Sequence, residues 1–266
     1  MSWLSALSLG ALQGFAELFP FSSLGLLIIV PHVLGWPVPV GRVYLPFVVA
    51  LHLGTALGLF VVFGHLWWQI FRGLVRDRHR RRQLLLILTA ALPAGVAGLV
   101  AKHWVAGFFS SPRLAAVMLM VNGVWLVRAP LATRPSLRRW DDLGWLAALR
   151  IGLYQILALI PGFSRSGLAL WGSARQGLDY ESAAHFSFLV AFPLIFGAAL
   201  VELPKLAHGS PGMVSRALGG GFLAFVVAAW AARYLLGYFR HHGLRRLGWA
   251  SLILGAVSLA ALTWGW

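Results

Sequence analysis

Ile160-Pro161-Gly162-Phe163-Ser164-Arg165-Ser166-Gly167 interrupts an apolar stretch that runs from about residue 144 to residue 178. Proline, glycine and arginine in the middle of such a stretch stop a continuous helix, and each remaining half is shorter than the ~20 residues that a membrane-spanning helix needs. The segment 3–35 is broken in the same way at Phe19-Pro20-Phe21-Ser22-Ser23. We therefore predict that both segments are re-entrant helix pairs, which enter a membrane and return to the same face.

The rest of the chain also has the composition of a membrane protein. Of its 266 residues 59% are hydrophobic and 11% are charged, whereas an ordinary soluble domain has about 25% charged residues. This composition excludes a soluble enzyme, a disordered chain and a nucleic-acid-binding protein. The absence of cysteine excludes disulfides and thiolate sites. Six uninterrupted apolar blocks have the approximate length of a single span: 44–70, 83–101, 112–128, 182–203, 213–239 and 247–265.

The arginines indicate how these spans are oriented. Thirteen of the twenty arginines lie in three loops, Arg72–Arg82, Arg128–Arg139 and Arg240–Arg246. Loops rich in arginine face the cytoplasm, so we interpret the net charge of +15 as a signal of topology. Tracing the spans from these loops places both termini outside. The first re-entrant pair then enters from the outer face and the second from the cytoplasmic face.

The two broken segments resemble each other. Gly10-Ala11-Leu12-Gln13 precedes the first break, Gly152-Leu153-Tyr154-Gln155 precedes the second, and three spans follow each. We predict an all-α integral membrane protein with a single domain, 1–266, made of two repeats of inverted topology, 1–128 and 144–266. Each repeat is a re-entrant helix pair plus three transmembrane helices, an architecture that brings two broken helices together near the midplane.

Glu17 is the only acidic residue deep inside an apolar stretch. Burying a charged group in a membrane costs ~2.5–3.5 kcal/mol on insertion scales, so such a residue indicates a functional site. The alternative is a protonated Glu17 that only hydrogen-bonds a neighbouring helix. Gln13 lies four residues earlier on the same helix face. Considered alone, Gln13 would be a residue that holds two helices together.

Arg165 lies at the start of the second half-helix, where unpaired backbone N–H groups and a guanidinium favour phosphate binding. The alternative is that Arg165 only neutralises Glu17, and both interpretations hold if a substrate displaces the pair. Ser22 and Ser23 could supply hydroxyl donors or a nucleophile, or could cap a helix. His32 and His52 are interpreted as interhelical hydrogen-bonding residues.

These residues together suit a phosphorylated ligand whose tail lies in lipid. For hydrolysis, Glu17 would be a base or a metal ligand, Ser23 or water the nucleophile, and Arg165 with backbone N–H groups the stabiliser of developing charge. The same site without hydrolysis would suit a transporter or flippase of a lipid-linked phosphate, because broken helices in inverted repeats are a transporter architecture. A structural membrane protein without a ligand would not explain the buried charges.

Two motifs resemble those of a known family. The runs Gln13-Gly14-Phe15-Ala16-Glu17 and Pro20-Phe21-Ser22-Ser23, with Pro161-Gly162-Phe163-Ser164-Arg165-Ser166, resemble the (E/Q)xxxE and PGxSRSxxT signatures of the undecaprenyl-pyrophosphate phosphatase family, the BacA type linked to bacitracin resistance. The similarity continues through Leu51-His52-Leu53-Gly54-Thr55, Leu92-Pro93-Ala94 and Phe186-Ser187-Phe188-Leu189, and so covers nearly the whole chain.

The resemblance implies an enzyme of the bacterial inner (plasma) membrane that removes the terminal phosphate of the C55 isoprenyl diphosphate carrier for reuse in cell-wall synthesis. It implies a divalent cation, Mg²⁺ or Ca²⁺, and a site open to the outer (periplasmic) face. It leaves the oligomeric state open, with a homodimer as one option. By position, Glu17 would be catalytic and a cation ligand, with Ser23 as nucleophile and Arg165 as the third catalytic residue. The implied substrate-binding residues are Gln13, Ser22, Gly162, Ser164 and Ser166.

The chain departs from the family pattern at two positions. The usual histidine after the serine pair falls on Leu26, and the final threonine of the second signature falls on Ala169. An imidazole is the natural proton carrier near neutral pH. Its loss at position 26 predicts that Glu17 and metal-bound water do that work, or that the protein is slow, altered in substrate or no longer a phosphatase.

Overall fold

The computed structural model describes residues 1–37, 44–101, 111–130, 139–206 and 210–264. Within these ranges the regular structure is entirely helical, which confirms the all-α class. The α-helices are α1 (Trp3–Ala16), α2 (Ser23–Val33), α3 (Tyr44–Val62), α4 (Gly64–Gly73), α5 (Arg78–Val100), α6 (Pro112–Val127), α7 (Trp145–Gln155), α8 (Arg165–Arg175), α9 (Tyr180–Leu206), α10 (Pro211–Phe239) and α11 (Arg245–Trp264). Short 3₁₀ turns lie at Trp140–Asp142 and Ile156–Leu159.

Five of the described helices, α3, α5, α9, α10 and α11, are long and apolar enough to cross a membrane. The remaining predicted span corresponds to α6, an apolar helix of 16 residues. With these helices the protein is a multi-pass membrane protein. Residues 102–110, which precede α6, lie outside the described ranges, as do residues 131–138 of the second arginine loop.

The apolar block 44–70 is not one helix, and this part of the prediction was wrong. α3 ends at Val62 and a separate helix, α4, begins at Gly64. Glycine costs about 1 kcal/mol relative to alanine inside a helix, so the chain breaks at this point at little cost. Trp67 of α4 is buried while Trp68 beside it is exposed. This arrangement is typical of a short amphipathic helix at a membrane surface.

The ends of the helices beside the arginine loops lie together on one face, as the sequence predicts. Arg82 joins the start of α5 to the segment before α7, Arg240 joins the end of α10 to the start of α9, and Tyr180 joins the start of α9 to the segment after α6. The contacts are Arg82 to the Leu143 carbonyl (2.6 Å), Arg240 to Glu181 (2.9 Å) and Tyr180 to the Pro130 carbonyl (2.6 Å).

The N-terminus lies at the opposite face. One apolar cluster there joins the start of α1, the end of the first re-entrant pair, the start of α3 and the loop ends of α9 and α10. Its members include Met1, Trp36, Tyr44, Leu206 and Ala217. The first pair therefore enters and returns at the face opposite the arginines. The second pair begins beside Leu143, at the arginine face.

Helix packing in the two halves corresponds. α1 packs against α10 as α7 packs against α5, and α3 packs against α10 as α9 packs against α5. Two repeats of inverted topology would produce this correspondence. The division into repeats at 1–128 and 144–266 stays a prediction that agrees with it.

Candidate active site

The turns of the two re-entrant pairs meet in the interior. α1 ends at Ala16, before Pro20, and the Ser22 side chain caps α2 by accepting a hydrogen bond from the Gly25 N–H. The Gly162 N–H also donates to Ser22 Oγ (3.0 Å). Ser166 Oγ donates to the Phe19 carbonyl (3.2 Å) in the other direction. The sequence prediction that the two turns come together is therefore confirmed.

Asn122 of α6 connects both turns to each other. Its Nδ2 donates to the Pro20 carbonyl (2.9 Å) and to Ser251 Oγ (3.1 Å), and its Oδ1 accepts a hydrogen bond from the Ser164 N–H (3.1 Å). Asn122 is buried, and every one of these partners is buried too. The sequence analysis did not single it out, although an amide in the middle of an apolar span was a usable signal.

Gly162 has a backbone requirement as well as a position in the motif. Its φ of +109° lies in the region that favours glycine, and a Cβ there would lie 2.5 Å from the Met118 Cβ. The turn before α8 can therefore approach α6 only with glycine at this position. The predicted substrate-binding role of Gly162 stays a prediction, since the structure shows its part in shaping the turn.

Glu17 is buried at the centre of the meeting turns, where it accepts three hydrogen bonds. Oε1 contacts Arg165 Nη2 (2.6 Å), while Oε2 accepts hydrogen bonds from Ser23 Oγ (2.7 Å) and Gln13 Nε2 (3.0 Å). An ionised carboxylate accepts from all three at once, and the ion pair with Arg165 favours this charged form. The alternative of a protonated Glu17 that bonds a neighbouring helix does not fit this arrangement.

Arg165 is the first residue of α8 and reaches across to the first re-entrant pair. Its Nη2 pairs with Glu17, and its Nη1 donates to the Ser187 carbonyl of α9 (3.1 Å). The side chain is 12% exposed. Ser187 was not identified as a site residue from the sequence. The ion pair with Glu17, one of the two interpretations of Arg165, is present, and the charges of the two side chains cancel.

Ser23 lies beside a histidine that the sequence analysis assigned only to helix packing. Its hydroxyl donates to Glu17, and the same oxygen lies 3.5 Å from His52 Nε2. His52 Nε2 is also 3.3 Å from Glu17 Oε2, and His52 Nδ1 lies 2.8 Å from the Val48 carbonyl. His52 does bridge helices, as expected, but the groups that it reaches are the two central residues of the site.

The remaining predicted serines hold the turns in place. Ser164 Oγ caps α8 by accepting from the Gly167 N–H (3.1 Å), and it lies 3.1 Å from Ser166 Oγ. Ser22 Oγ is used by two backbone N–H groups, as described above. Direct contact of these serines with a substrate stays a prediction.

The two positions that depart from the family signatures are apolar and buried. Leu26 packs in a cluster with residues of α6, including Ala115 and Leu119, and Ala169 lies in the main core. Leu26 is one helical turn beyond Ser23, but its neighbours in that cluster are apolar. The imidazole that lies near Ser23 in this chain comes from α3 instead.

The predicted divalent cation at Glu17 stays a prediction. Three of the roughly four lone-pair positions of this carboxylate already accept hydrogen bonds, from Arg165, Ser23 and Gln13, so a cation bound directly to Glu17 would use the remaining position or displace a donor. The described residues also contain no group of three His, Asp or Glu side chains with the spacing of a metal site. Gln13 Oε1 is buried without a hydrogen-bond partner, but a single amide oxygen does not make a cation site.

Fold and site together define a multi-pass α-helical membrane protein with a charged site between two re-entrant turns. Residues 6–257 match the family described as Bacitracin resistance protein BacA, and the chain belongs to this family. A relative from Acidiphilium cryptum is 40% identical over 281 residues, which cover 100% of both chains. One from Granulibacter bethesdensis is 37% identical over 289 residues, 99% of this chain and 97% of the relative. One from Gluconacetobacter diazotrophicus is 39% identical over 281 residues, 98% of each chain. All three are named undecaprenyl-diphosphatase.

Proposed function

We propose that this protein is an undecaprenyl-diphosphatase, an enzyme that hydrolyses undecaprenyl diphosphate to undecaprenyl phosphate and inorganic phosphate. The observation that supports it most is the convergence of Ser23 and Arg165 on Glu17, at 2.7 Å and 2.6 Å. Phosphoryl transfer requires a nucleophile and a positive charge that stabilises the phosphate oxygens. Here Ser23 would be the nucleophile, the Arg165 guanidinium would carry the positive charge, and the Glu17 carboxylate orients both. The name shared by the full-length relatives agrees with this proposal.

The ion pair between Arg165 and Glu17 suggests how substrate enters the site. A diphosphate carries more negative charge than one carboxylate, so it competes for the planar fork of Arg165. In the first turn of α8, the Gly167 N–H is taken by Ser164 Oγ, so the N–H groups of Arg165 and Ser166 would be the ones offered to a phosphate. Glu17 then keeps Ser23 Oγ in position through its second oxygen while the terminal phosphorus approaches.

Hydrolysis would proceed by two displacements. Ser23 Oγ would form a bond to the terminal phosphorus as the bond to the bridging oxygen breaks, and undecaprenyl phosphate would leave. Water would then release phosphate from Ser23. A transporter or flippase has no need for a serine hydroxyl fixed by a carboxylate beside the phosphate site, so the structure offers no specific support for that alternative.

We further propose that the protein lies in the bacterial inner membrane with the arginine face in the cytoplasm. The concentration of arginines on one face and the position of the N-terminus on the other support this orientation. The site then opens towards the periplasm, and the isoprenyl chain lies in lipid. A homodimer stays a prediction.

The test is release of inorganic phosphate from purified C55 diphosphate by the purified protein. Ser23→Ala should reduce the rate to background, because it removes the nucleophile. Wild-type protein that binds the diphosphate without releasing phosphate would contradict the phosphatase and favour the transporter. A parallel measurement with a chelator tests the predicted cation, since full activity without free Mg²⁺ or Ca²⁺ would exclude it.

A further inference from the structure

We propose that His52 takes the proton from Ser23 when the phosphorus is attacked. The inference rests on the proposed phosphatase function and assigns a role in it to a third helix, α3. Its starting point is the position of one imidazole nitrogen, His52 Nε2, which is 3.5 Å from Ser23 Oγ and 3.3 Å from Glu17 Oε2. Of the described side chains, Glu17 and His52 lie within hydrogen-bonding distance of Ser23 Oγ.

The Val48 carbonyl determines which imidazole nitrogen can accept a proton. A carbonyl oxygen only accepts hydrogen bonds, so His52 Nδ1, at 2.8 Å from it, carries a hydrogen. In the neutral ring, Nε2 then has a free lone pair and lies within 3.5 Å of Ser23 Oγ. A backbone carbonyl that fixes the tautomer of a histidine is a common arrangement at sites where the ring transfers protons.

Glu17 is a poorer acceptor for the same proton. Its two oxygens already accept from Arg165, Gln13 and Ser23, and these three donors stabilise the charged carboxylate. Glu17 is instead placed to stabilise the imidazolium that forms, because its Oε2 lies 3.3 Å from the nitrogen that would gain the proton. This division of roles, with a base that takes the proton and a carboxylate that stabilises it, is the logic of serine–histidine–acid sites. The 3.5 Å separation is long for a hydrogen bond, as nucleophile–base contacts often are before substrate binds.

The proton balance closes over the two displacements. In the first, the Ser23 hydroxyl turns its hydrogen from Glu17 to His52 Nε2. The O–H bond then breaks, the proton moves to Nε2, Oγ bonds to phosphorus, and the electron pair of the broken P–O bond stays on the leaving undecaprenyl phosphate. His52 returns the proton to that oxygen. In the second displacement, the water oxygen bonds to phosphorus while His52 takes a proton from that water. The bond between phosphorus and Ser23 Oγ breaks, His52 passes the proton to Oγ, and phosphate leaves.

The experiment compares four purified proteins with C55 diphosphate as substrate: wild type, His52→Ala, His52→Gln and His32→Ala. His32 is an exposed histidine at the end of α2 and serves as the matched control. We expect kcat of both His52 variants to fall by about a hundredfold or more, which is the range of a general base, with KM changed by less than about threefold. His32→Ala should behave as wild type.

Added imidazole distinguishes a proton acceptor from a residue that only supports the fold. His52 is 18% exposed, so a free imidazole can enter the space left in His52→Ala and should restore part of its kcat. It should restore nothing in Ser23→Ala. If His52→Ala fails to fold, as judged by its thermal unfolding, His52→Gln provides the kcat test, since its amide can occupy the Nε2 position near Ser23 and Glu17 but cannot accept the proton.

The outcomes separate this inference from the function on which it rests. An active wild type together with His52 variants of near-normal kcat would overturn the role of His52 and leave the phosphatase intact. A folded His52→Ala with low kcat that imidazole does not restore would also overturn it. A wild type that releases no phosphate would overturn the proposed function, and the role of His52 with it.

Discussion

At the residue scale, the site contains an ion pair between Arg165 and Glu17 that a substrate must break in order to bind Arg165. Arg165 is satisfied by Glu17 and by the Ser187 carbonyl, so neither charge is left unpaired in the absence of a ligand. Removing one partner of a buried ion pair costs about 3–5 kcal/mol, because the other charge is left buried alone. A diphosphate can replace Glu17 at Arg165 because it brings its own negative charge, and Glu17 then keeps the hydrogen bonds from Ser23 and Gln13. The ion pair therefore stabilises the folded state without a ligand, and only an anionic ligand can replace Glu17 at Arg165.

The geometry of Arg165 leads to a prediction about charge and shape. Arg165→Lys keeps the positive charge but replaces a planar fork by a single ammonium, which cannot contact Glu17 and the Ser187 carbonyl in the same way. We expect phosphate release to fall by about tenfold or more while the protein remains folded. The measurement is kcat/KM for C55 diphosphate together with the unfolding temperature. Near-normal turnover would mean that Arg165 is only a counter-charge.

The charged residues of the site could be predicted from the sequence, whereas neutral ones such as His52 and Ser187 could not. Glu17 and Arg165 were evident because a charge in an apolar stretch is costly and needs a reason. His52 was not, because a neutral histidine in a span usually only bonds a neighbouring helix. Its contact with Ser23 joins residues 29 positions apart, and no local pattern shows which way α3 turns that ring. Ser187 contributes only a backbone carbonyl, which every residue has.

At the element scale, helix ends at the arginine face are joined by a buried carboxylate. Asp141 accepts a hydrogen bond from Gln83 Nε2 (2.9 Å) and lies near His79 (3.2 Å) and Arg139 (3.3 Å). Burial by itself would raise the pKa of Asp141, but the Gln83 hydrogen bond and the charge of Arg139 outweigh it and hold this pKa below its usual value. The interaction ties α5 to the turn that begins the second half.

The lowered pKa of Asp141 predicts a specific dependence of stability on pH. A carboxyl with a lower pKa in the folded state stabilises the fold above its unfolded value of about 3.9, and this contribution is lost as pH falls through the folded value. Asp141→Asn should therefore unfold at a lower temperature than wild type at pH 6, and the difference should shrink below about pH 4. A difference that persists unchanged in acid would contradict this. Glu181→Gln, which breaks the exposed pair with Arg240, should have little effect at either pH.

Close contact between helix backbones gives a second prediction at this scale. A Cβ on Gly54 of α3 would overlap the Gly221 carbonyl of α10, whereas a Cβ on Gly237 of α10 would meet nothing within 4 Å. Small residues let membrane helices approach closely, so Gly54→Ala should force α3 and α10 apart and lower the unfolding temperature. Gly237→Ala, the matched control, should be neutral or stabilising by up to about 1 kcal/mol. Equal effects of the two substitutions would show that this close packing does not limit stability.

The elements themselves were largely predictable, with one exception of a clear physical kind. Both broken segments and the apolar helices follow from hydrophobic blocks interrupted by proline, glycine and serine. The break between α3 and α4 was missed because the block 44–70 contains no Asp, Glu, Lys or Arg and Gly64 is a weaker interruption than proline. α4 differs from α3 in having one buried and one exposed tryptophan side by side, Trp67 and Trp68. A search for long apolar stretches does not distinguish such a helix from a membrane span.

At the scale of the whole molecule, two faces organise the chain. Arginine-bearing helix ends meet at one face through Arg82 and Arg240, and the N-terminus packs at the other beside Tyr44. The first re-entrant pair therefore carries Glu17 and Ser23 inwards from one side, while the second carries Arg165 inwards from the opposite side. A site made from both sides in this way needs no continuous polar helix across the lipid, because each polar turn is buried by the other.

This organisation predicts the accessibility of single cysteines. The natural chain has no cysteine, so one introduced at Arg80 and another at Ser2, each in its own variant, can be labelled without background. Arginine loops remain in the cytoplasm, so the cysteine at Arg80 should react with a membrane-impermeant reagent only after the cytoplasmic side is opened. The one at Ser2 should react in intact spheroplasts, because the N-terminus lies at the other face. Labelling of both variants from the same side would contradict the opposite placement of the two faces. It would also remove the basis for a site that opens to the periplasm, since Glu17 and Ser23 are carried inwards from the face on which the N-terminus lies.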